Sequence, residues 1–122
     1  QVVLDQLAAA PKVDLMLPLP ADSRLRQIYR SLNLHPEQPT TLRQWSEKLA
    51  VSEKTLSRLF LSDTGLTFRA WRQRLRLLSA LPALEQGERV TDVALACGYE
   101  STSAFINAFR QQFDATPGEF FR

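Results

Sequence analysis

Two segments of this sequence carry polar side chains at helical spacing, opposite a row of apolar ones. In the first segment the apolar row is Leu56, Leu59 and Phe60. The side chains opposite that row are Glu53, Lys54, Ser57 and Arg58. In the second segment the outward set is Thr102, Ser103, Ile106 and Asn107. Side chains of these types, presented on a helix, can contact the edges of nucleic-acid bases in a major groove.

Arg58 and Asn107 are the strongest candidates for base recognition. A guanidinium can donate two hydrogen bonds to guanine, and a carboxamide can pair with adenine at two points. Ile106 can contact a thymine methyl group. Two alternatives stay open for Arg58: a phosphate contact, or a salt bridge to Glu47 or Asp63. For the second segment the alternative is that it mainly holds the nucleic-acid backbone.

A further set of residues fits phosphate binding, because helix starts and arginines both favour anions. The set is Thr41, Arg43, Ser52, Thr67, Arg72, Arg76, Ser101, Arg110 and Thr116. Each hydroxyl in it is equally well explained as a helix cap.

The positive charge is concentrated in the middle of the chain. The formal net charge is only +2, from 15 basic and 13 acidic residues. Between Thr41 and Arg76 there are eight basic and three acidic residues, so this stretch is +5 and the rest is −3. Such asymmetry is typical of a nucleic-acid binder. The alternative is a solvated helical face that carries arginine for solubility.

The residues that usually carry catalysis or bind metals are scarce. Cys97 and His35 are the single cysteine and histidine, which excludes an intrachain disulfide and a Cys/His zinc site. The sequence has no glycine-rich phosphate loop and no His-Glu-x-x-His pair. We therefore predict no enzymatic activity, no cofactor and no metal. Because no apolar run could span a bilayer and Gln1 opens no signal peptide, we expect a cytoplasmic fragment of a longer protein.

Apolar periodicity predicts seven helices and no strand. Residues 1–20 contain three prolines and are expected to be a linker or the remnant of a preceding domain. The first helix starts at Asp22 and ends before His35. A capping box at Thr41 starts the second helix, and Ser52 caps the third.

The fourth helix is predicted to be long, from Thr67 to about Glu85, or roughly 28 Å at 1.5 Å per residue. We expect Pro82 to kink it or to end it early. The apolar side of this helix is predicted to be Phe68, Trp71, Leu75 and Leu78. Predicted caps for the last three helices are Thr91, Ser101 and Thr116. The core spacing of Trp45, Trp71, Phe105 and Phe109 indicates packing, and Cys97 is expected to be buried and inert.

The chain contains an internal repeat. Residues at equivalent positions are 49 apart: Leu56 with Phe105, Phe60 with Phe109, Gly65 with Asp114, and Thr67 with Thr116. Each copy is a short helix, a turn and a longer helix with a polar outer face, which is the layout of a helix-turn-helix reader of DNA. A repetitive helical scaffold or protein-docking module is the alternative.

The second copy reads D-V-A-L-A-C-G-Y-E-S-T-S-A-F-I-N-A-F-R-Q-Q-F-D-A-T-P over residues 92–117. Together with Leu56-Ser57-Arg58-Leu59-Phe60, Thr64-Gly65 and Arg76-Leu77, this run resembles the DNA-binding domain of the AraC/XylS transcription regulators. The resemblance covers about residues 24–122. Ala50, Asp114 and Asn107 depart from the family's pattern, which usually has Gly, Gly and Arg there. We expect Asp114 to tolerate a left-handed backbone and Ala50 to avoid one.

The resemblance implies an all-α fold of two helix-turn-helix subdomains joined by a long linker helix. The expected boundaries are 21–66 for the first lobe, 67–86 for the linker helix and 87–122 for the second lobe. It further implies sequence-specific binding of double-stranded promoter or operator DNA in two consecutive major grooves. RNA polymerase is an expected partner, any small-molecule effector would bind a missing N-terminal domain, and the fragment is expected to be monomeric. The competing functions are a module that docks an acidic protein and an RNA binder.

Overall fold

The computed structural model describes residues 17–121 of the 122-residue chain. Within that range it contains seven α-helices and no strand, as predicted. They are α1 (Ser23–Leu34), α2 (Leu42–Leu49), α3 (Glu53–Thr64), α4 (Phe68–Glu85), α5 (Val90–Ala96), α6 (Thr102–Phe113) and α7 (Pro117–Phe120). Most of the predicted linker, residues 1–16, lies outside the described residues.

Polar caps set the start of almost every helix. Thr41 and Thr116 each form a capping box, with Gln44 and Glu119 respectively. A side chain at the predicted position also caps α3, α4 and α6: Ser52, Thr67 and Ser101. These hydrogen bonds satisfy amides that a helix start leaves without a partner.

The prediction that Thr91 caps α5 is wrong. The helix begins at Val90, its N-cap is Arg89, and no side chain accepts a hydrogen bond there. Val90 packs against the second core, so apolar packing starts the helix before the threonine. The Thr91 hydroxyl instead accepts a hydrogen bond from Thr102 at 3.2 Å.

Two separate cores hold the chain together. The first contains Leu25, Ile28, Leu32, Trp45, Leu56, Phe60, Phe68, Trp71 and Leu75. The second contains Leu77, Ala80, Leu84, Val93, Ala94, Cys97, Phe105, Ala108 and Phe109. The four aromatic residues expected to pack in a core are therefore buried, and so is Cys97.

Helix α4 supplies side chains to both cores. Leu75 belongs to the first core and Leu77 to the second core. Residues two positions apart in a helix point in directions that differ by roughly 200°, because there are 3.6 residues per turn. The predicted apolar side was wrong at Leu78, which is only partly buried, whereas Leu77 is fully buried. A single apolar stripe was expected because the sequence does not show that α4 has two neighbours. Each lobe thus needs part of α4 to complete its core.

The early end expected at Pro82 is also wrong, because α4 continues to Glu85. The Pro82 carbonyl accepts a hydrogen bond from the Gln86 amide at 3.1 Å, so the last turn stays closed. Packing of Leu84 in the second core accounts for the continuation. A kink at Pro82 stays a prediction.

The turns after α2 and α6 both use a left-handed residue that is not glycine. Ala50 has φ 58° and Asp114 has φ 60°. The expectation for Asp114 is confirmed, and the expectation that Ala50 avoids this region is wrong. Gly98, which follows α5 in the second copy as Ala50 follows α2 in the first, has φ 94°. The turn between the two helices demands this conformation, which costs an alanine about 1–2 kcal/mol.

No helix within residues 17–121 is long and apolar enough to cross a membrane. In the same range, no group of three or more His, Cys, Asp or Glu side chains is placed to hold a metal ion.

Candidate nucleic-acid interface

Helix α3 brings the four base-contact candidates of the first lobe together. Glu53, Lys54, Ser57 and Arg58 are exposed and line one open cleft with Leu42 from the start of α2. No side-chain hydrogen bond or ion pair within residues 17–121 engages any of these four. On the opposite face of α3, the buried side chains of Leu56 and Phe60 pack in the first core. The arrangement offers two cations, a hydroxyl and a carboxylate to an external partner.

One alternative for Arg58 is not supported. The Asp63 carboxylate accepts the backbone amides of Ala21 and Asp22 at 2.8 and 3.0 Å, so it caps the approach to α1. No ion pair joins Arg58 to Asp63 or to Glu47 in the described part of the chain.

Helix α6 brings some of the candidates of the second lobe together. Asn107 and Arg110 are exposed and line a shallow cleft with Gln111 and Asp114, which the sequence reasoning missed. Gln111 lies one helical turn after Asn107, and that spacing could have identified it.

The other base-contact candidates on α6 differ in their burial and in their contacts within the protein. Ser103 is exposed, but Ile106 is half-buried and packs against the second core. Thr102 donates to Thr91. Of the four base-contact candidates on α6, Ser103 and Asn107 are therefore the two that are exposed and unengaged within residues 17–121.

The hydroxyl candidates for phosphate binding all act as caps. Thr41, Ser52, Thr67, Ser101 and Thr116 each accept an amide within the first turn of their helix. Their role at phosphates stays a prediction. Arg43 and Arg110 are exposed and have no ion-pair partner among residues 17–121.

Arg72 and Arg76 point to the loop between α1 and α2. Nη1 of Arg72 donates to the Thr40 carbonyl at 2.7 Å, and its guanidinium lies 4.9 Å from the centre of the Phe68 ring. Arg76 donates from Nε to the Pro36 carbonyl at 2.7 Å and from Nη2 to the Gln38 carbonyl at 2.8 Å. Most of the Arg76 fork is thus used inside the protein, which argues against the predicted phosphate role for this residue.

A cationic cleft lies between the two lobes. Its lining is Thr41, Leu42, Phe68, Arg69, Arg72, Gln73, Arg76 and Tyr99. Burial, together with the charges of Arg76 and Arg69, lowers the pKa of Arg72. Leu42 borders both this cleft and the cleft at α3. Arg69 is not in the predicted set of phosphate contacts, although its spacing of three from Arg72 places both on one helical face.

Burial affects the pKa values of Tyr99, which lines this cleft, and of Cys97, which lies in the second core. Burial raises the pKa of Tyr99 to about 12, and its hydroxyl has no hydrogen-bond partner among the described residues. Burial also raises the pKa of the Cys97 thiol, whose sulfur lies 3.6 Å from the Ser79 hydroxyl. A raised thiol pKa removes the thiolate that a nucleophile needs.

Two helical cores, each presenting the outer face of the second helix of a helix-turn-helix unit, define a double helix-turn-helix protein. The sequence profile of the family described as "Helix-turn-helix domain" matches residues 45–122. The transcriptional regulator NimR of Escherichia coli (strain K12) is 39% identical over 120 residues, which is 98% of this chain and 44% of NimR. The chain thus spans less than half of this relative's length.

Solved structures agree on the fold. A transcriptional regulator with an AraC-type DNA-binding domain from Chromobacterium violaceum is 27% identical, with a TM-score of 0.74 over 80% of this chain and 88% of that one. The DNA-binding domain of the transcriptional factor AdpA, in complex with a target DNA, is 26% identical. Its TM-score is also 0.74, over 82% of this chain and 91% of that one. The chain belongs to the helix-turn-helix domain family, in its AraC/XylS form.

Proposed function

We propose that this chain binds a specific operator by placing α3 and α6 in two consecutive major grooves, as the DNA-binding part of a bacterial transcription regulator. The observation that carries the proposal is the outer face of α3, with four exposed side chains suited to base edges and unengaged within residues 17–121. The target-DNA complex of AdpA supports duplex DNA as the ligand. The relation to NimR supports transcription regulation as the process.

The long helix α4 gives the two reading helices a fixed separation. Successive major grooves on one face of DNA are about 34 Å apart, and the 18 residues of α4 rise about 27 Å. A separation shorter than the groove repeat bends the duplex, at a cost of about 1–6 kcal/mol that contacts at both sites offset.

Base recognition is assigned to named side chains. Arg58 donates two hydrogen bonds to a guanine, and Lys54 and Ser57 contact neighbouring bases of the same groove. Asn107 pairs with an adenine in the second groove, next to Ile106. Glu53, Thr102 and Ser103 complete the base-contacting set.

Backbone contacts flank the two reading helices. Arg43 and Arg110 bind phosphates beside each lobe, together with the capped helix starts. The cationic cleft between the lobes binds the phosphates between the two grooves, and Arg69 is its most exposed cation. Arg72 keeps two guanidinium nitrogens for the same strand, because only Nη1 is used on Thr40.

The wider protein context is also part of the proposal. We expect a non-enzymatic cytoplasmic domain that contacts RNA polymerase when it activates and that is monomeric by itself. An effector, where one exists, would bind a region of the regulator outside this chain, since the chain spans 44% of NimR.

The proposal is tested by selecting bound duplexes from a random-sequence pool and titrating the winner with salt. We expect two short motifs about one helical turn apart, and a steep loss of affinity with salt that an unselected duplex does not match. A single enriched motif would show that only one lobe reads sequence. No enrichment, with weak and uniform binding, would favour a module that docks an acidic protein.

A further inference from the structure

The loop between α1 and α2 touches the turn between α5 and α6, so the two lobes make a contact outside both cores, beside the Arg76 side chain of α4. A Cβ atom added to Gly98 would lie 3.0 Å from the Cα of Glu37 and 3.1 Å from the Cζ of Arg76. The φ of +94° at Gly98 also excludes an unstrained side chain. The backbones of the two lobes are therefore in direct contact across this glycine.

Arg76 fixes the loop on the first lobe's side of the contact. Its two hydrogen bonds go to the carbonyls of Pro36 and Gln38, the residues on either side of Glu37. A guanidinium can make this fork because its donors are held in one plane, whereas lysine cannot. These two hydrogen bonds hold the Glu37 backbone next to Gly98.

Hydrogen bonds tie the loop between α1 and α2 to both neighbouring helices, so its contact with Gly98 can fix the position of one lobe relative to the other. The side chain of Gln38 donates to the carbonyl of Ser31 at 3.0 Å, which ties the loop to the end of α1. Arg72 donates to Thr40, which ties the other end of the loop to α4. Helix α2 starts directly after the loop, and Gly98 lies in the turn between α5 and α6, four residues before α6 begins. The contact therefore joins the start of the first helix-turn-helix unit to the turn of the second.

Helix α4 by itself is one connection between the lobes and can bend and twist elastically, whereas a second attachment point restricts the rotation of one lobe relative to the other. We propose that Arg76 and Gly98 form a lock that sets the distance and angle between α3 and α6, and so determines which half-site spacing the protein accepts. This inference rests on the proposed reading of two grooves. It assigns Arg76 a positioning role, with no contact to bases required.

The test uses the selected operator and versions whose spacer is longer or shorter by one and two base pairs. Each base pair shifts the second half-site by roughly 3.4 Å and one tenth of a turn. The parent chain should lose about tenfold in affinity for each base pair, the effect of one mismatch. Arg76→Gln and Gly98→Ala should flatten this profile to less than about threefold, when each variant is compared with its own affinity for the unaltered spacer.

Arg74→Gln is the matched control, since Arg74 lies on the same helix and has no ion-pair partner among residues 17–121. It should keep the parent profile. If Arg76→Gln also keeps the parent profile on a two-motif operator, the lock is overturned while two-groove reading stands. If the parent selects a single motif, both fail. Arg76→Gln decides the matter if Gly98→Ala does not fold, because it adds no atom to the contact.

Discussion

At the level of single residues, Arg58 is the side chain proposed to distinguish guanine from the other bases. It lies exposed on α3, beside Lys54 and Ser57, and neither Glu47 nor Asp63 engages it. A guanidinium with free donors discriminates guanine from other bases, whereas a phosphate contact does not discriminate at all.

Arg58→Ala should weaken binding to the selected operator by about 1–3 kcal/mol and relax the preference at one base position. Binding to an unselected duplex should change much less. The measurement is a pair of titrations at one salt concentration, with Arg30→Ala on α1 as the control for lost charge. Equal losses on both duplexes would make Arg58 a phosphate contact.

Asp22 is a residue whose ionisation matters for the fold. A hydrogen bond from the Arg24 side chain, with those from the Arg24 and Leu25 amides, holds the pKa of Asp22 below its ordinary value of 3.8. A carboxylate with a depressed pKa stabilises the fold above its unfolded pKa, and this stabilisation is lost as pH falls through the folded pKa.

Asp22→Asn should therefore destabilise the protein at pH 7, and the difference from the parent should shrink as the pH drops below 3.8. Urea unfolding at several pH values measures it. A difference that stays constant with pH would show that the carboxylate charge at Asp22 contributes nothing beyond a neutral cap.

Helix ends and helix faces set stability at the scale of the element. Helix α2 ends on Ala50 in the left-handed region, where glycine has no steric penalty. Helix α6 buries Phe105 completely in the second core. The two features predict changes of opposite sign.

Ala50→Gly should raise the free energy of unfolding by about 1 kcal/mol, because it relieves the strain of the turn. The control is Ala70→Gly on the exposed side of α4, which should lower it by about 1 kcal/mol. Thermal melting of both variants measures the difference. A loss of stability in Ala50→Gly would contradict the strained turn.

Phe105→Ala should cost about 3–5 kcal/mol, because it leaves a cavity among Tyr99, Phe109 and their neighbours. Urea unfolding gives this value. An unchanged unfolding midpoint would show that Phe105 is not part of the second core. Ser103→Ala, on the exposed side of the same helix, should be nearly neutral.

The distribution of charge acts at the scale of the whole molecule. Arg69, Arg72 and Arg76 line one cleft between the lobes, and like charges there repel each other until an anion binds. DNA phosphates between the two grooves would supply that anion, and counterion release would make the binding depend on salt.

Arg69→Ala should weaken binding to all duplexes by a similar factor and reduce the slope of log K against log salt by about 1. Salt titrations of the selected and an unselected duplex check this. A loss confined to the selected duplex would place Arg69 at a base edge. Arg30→Ala again serves as the control, because α1 lies outside the cleft lining.

Much of the fold follows from local signals in the sequence. The caps at Thr41, Ser52, Thr67, Ser101 and Thr116 depend on side chains within one turn of their helix, so the sequence alone determines them. The internal repeat in the sequence is also present in the structure, because equivalent residues such as Phe60 and Phe109 are both fully buried. Amphipathic spacing was therefore enough to place α3 and α6 and to choose the outer face of α3, whereas Ile106 on the predicted outer face of α6 is half-buried against the second core.

Only the tertiary structure decided what depends on residues far apart in the chain. Leu77 is buried because α4 has a second neighbour, and Ala50 is left-handed because the two helices it joins are fixed by packing. Arg76 resembles any other exposed arginine in the sequence, yet it binds carbonyls 40 and 38 positions away. Local patterns encode helices and their faces, whereas the joint between the two lobes exists only once both have folded against α4.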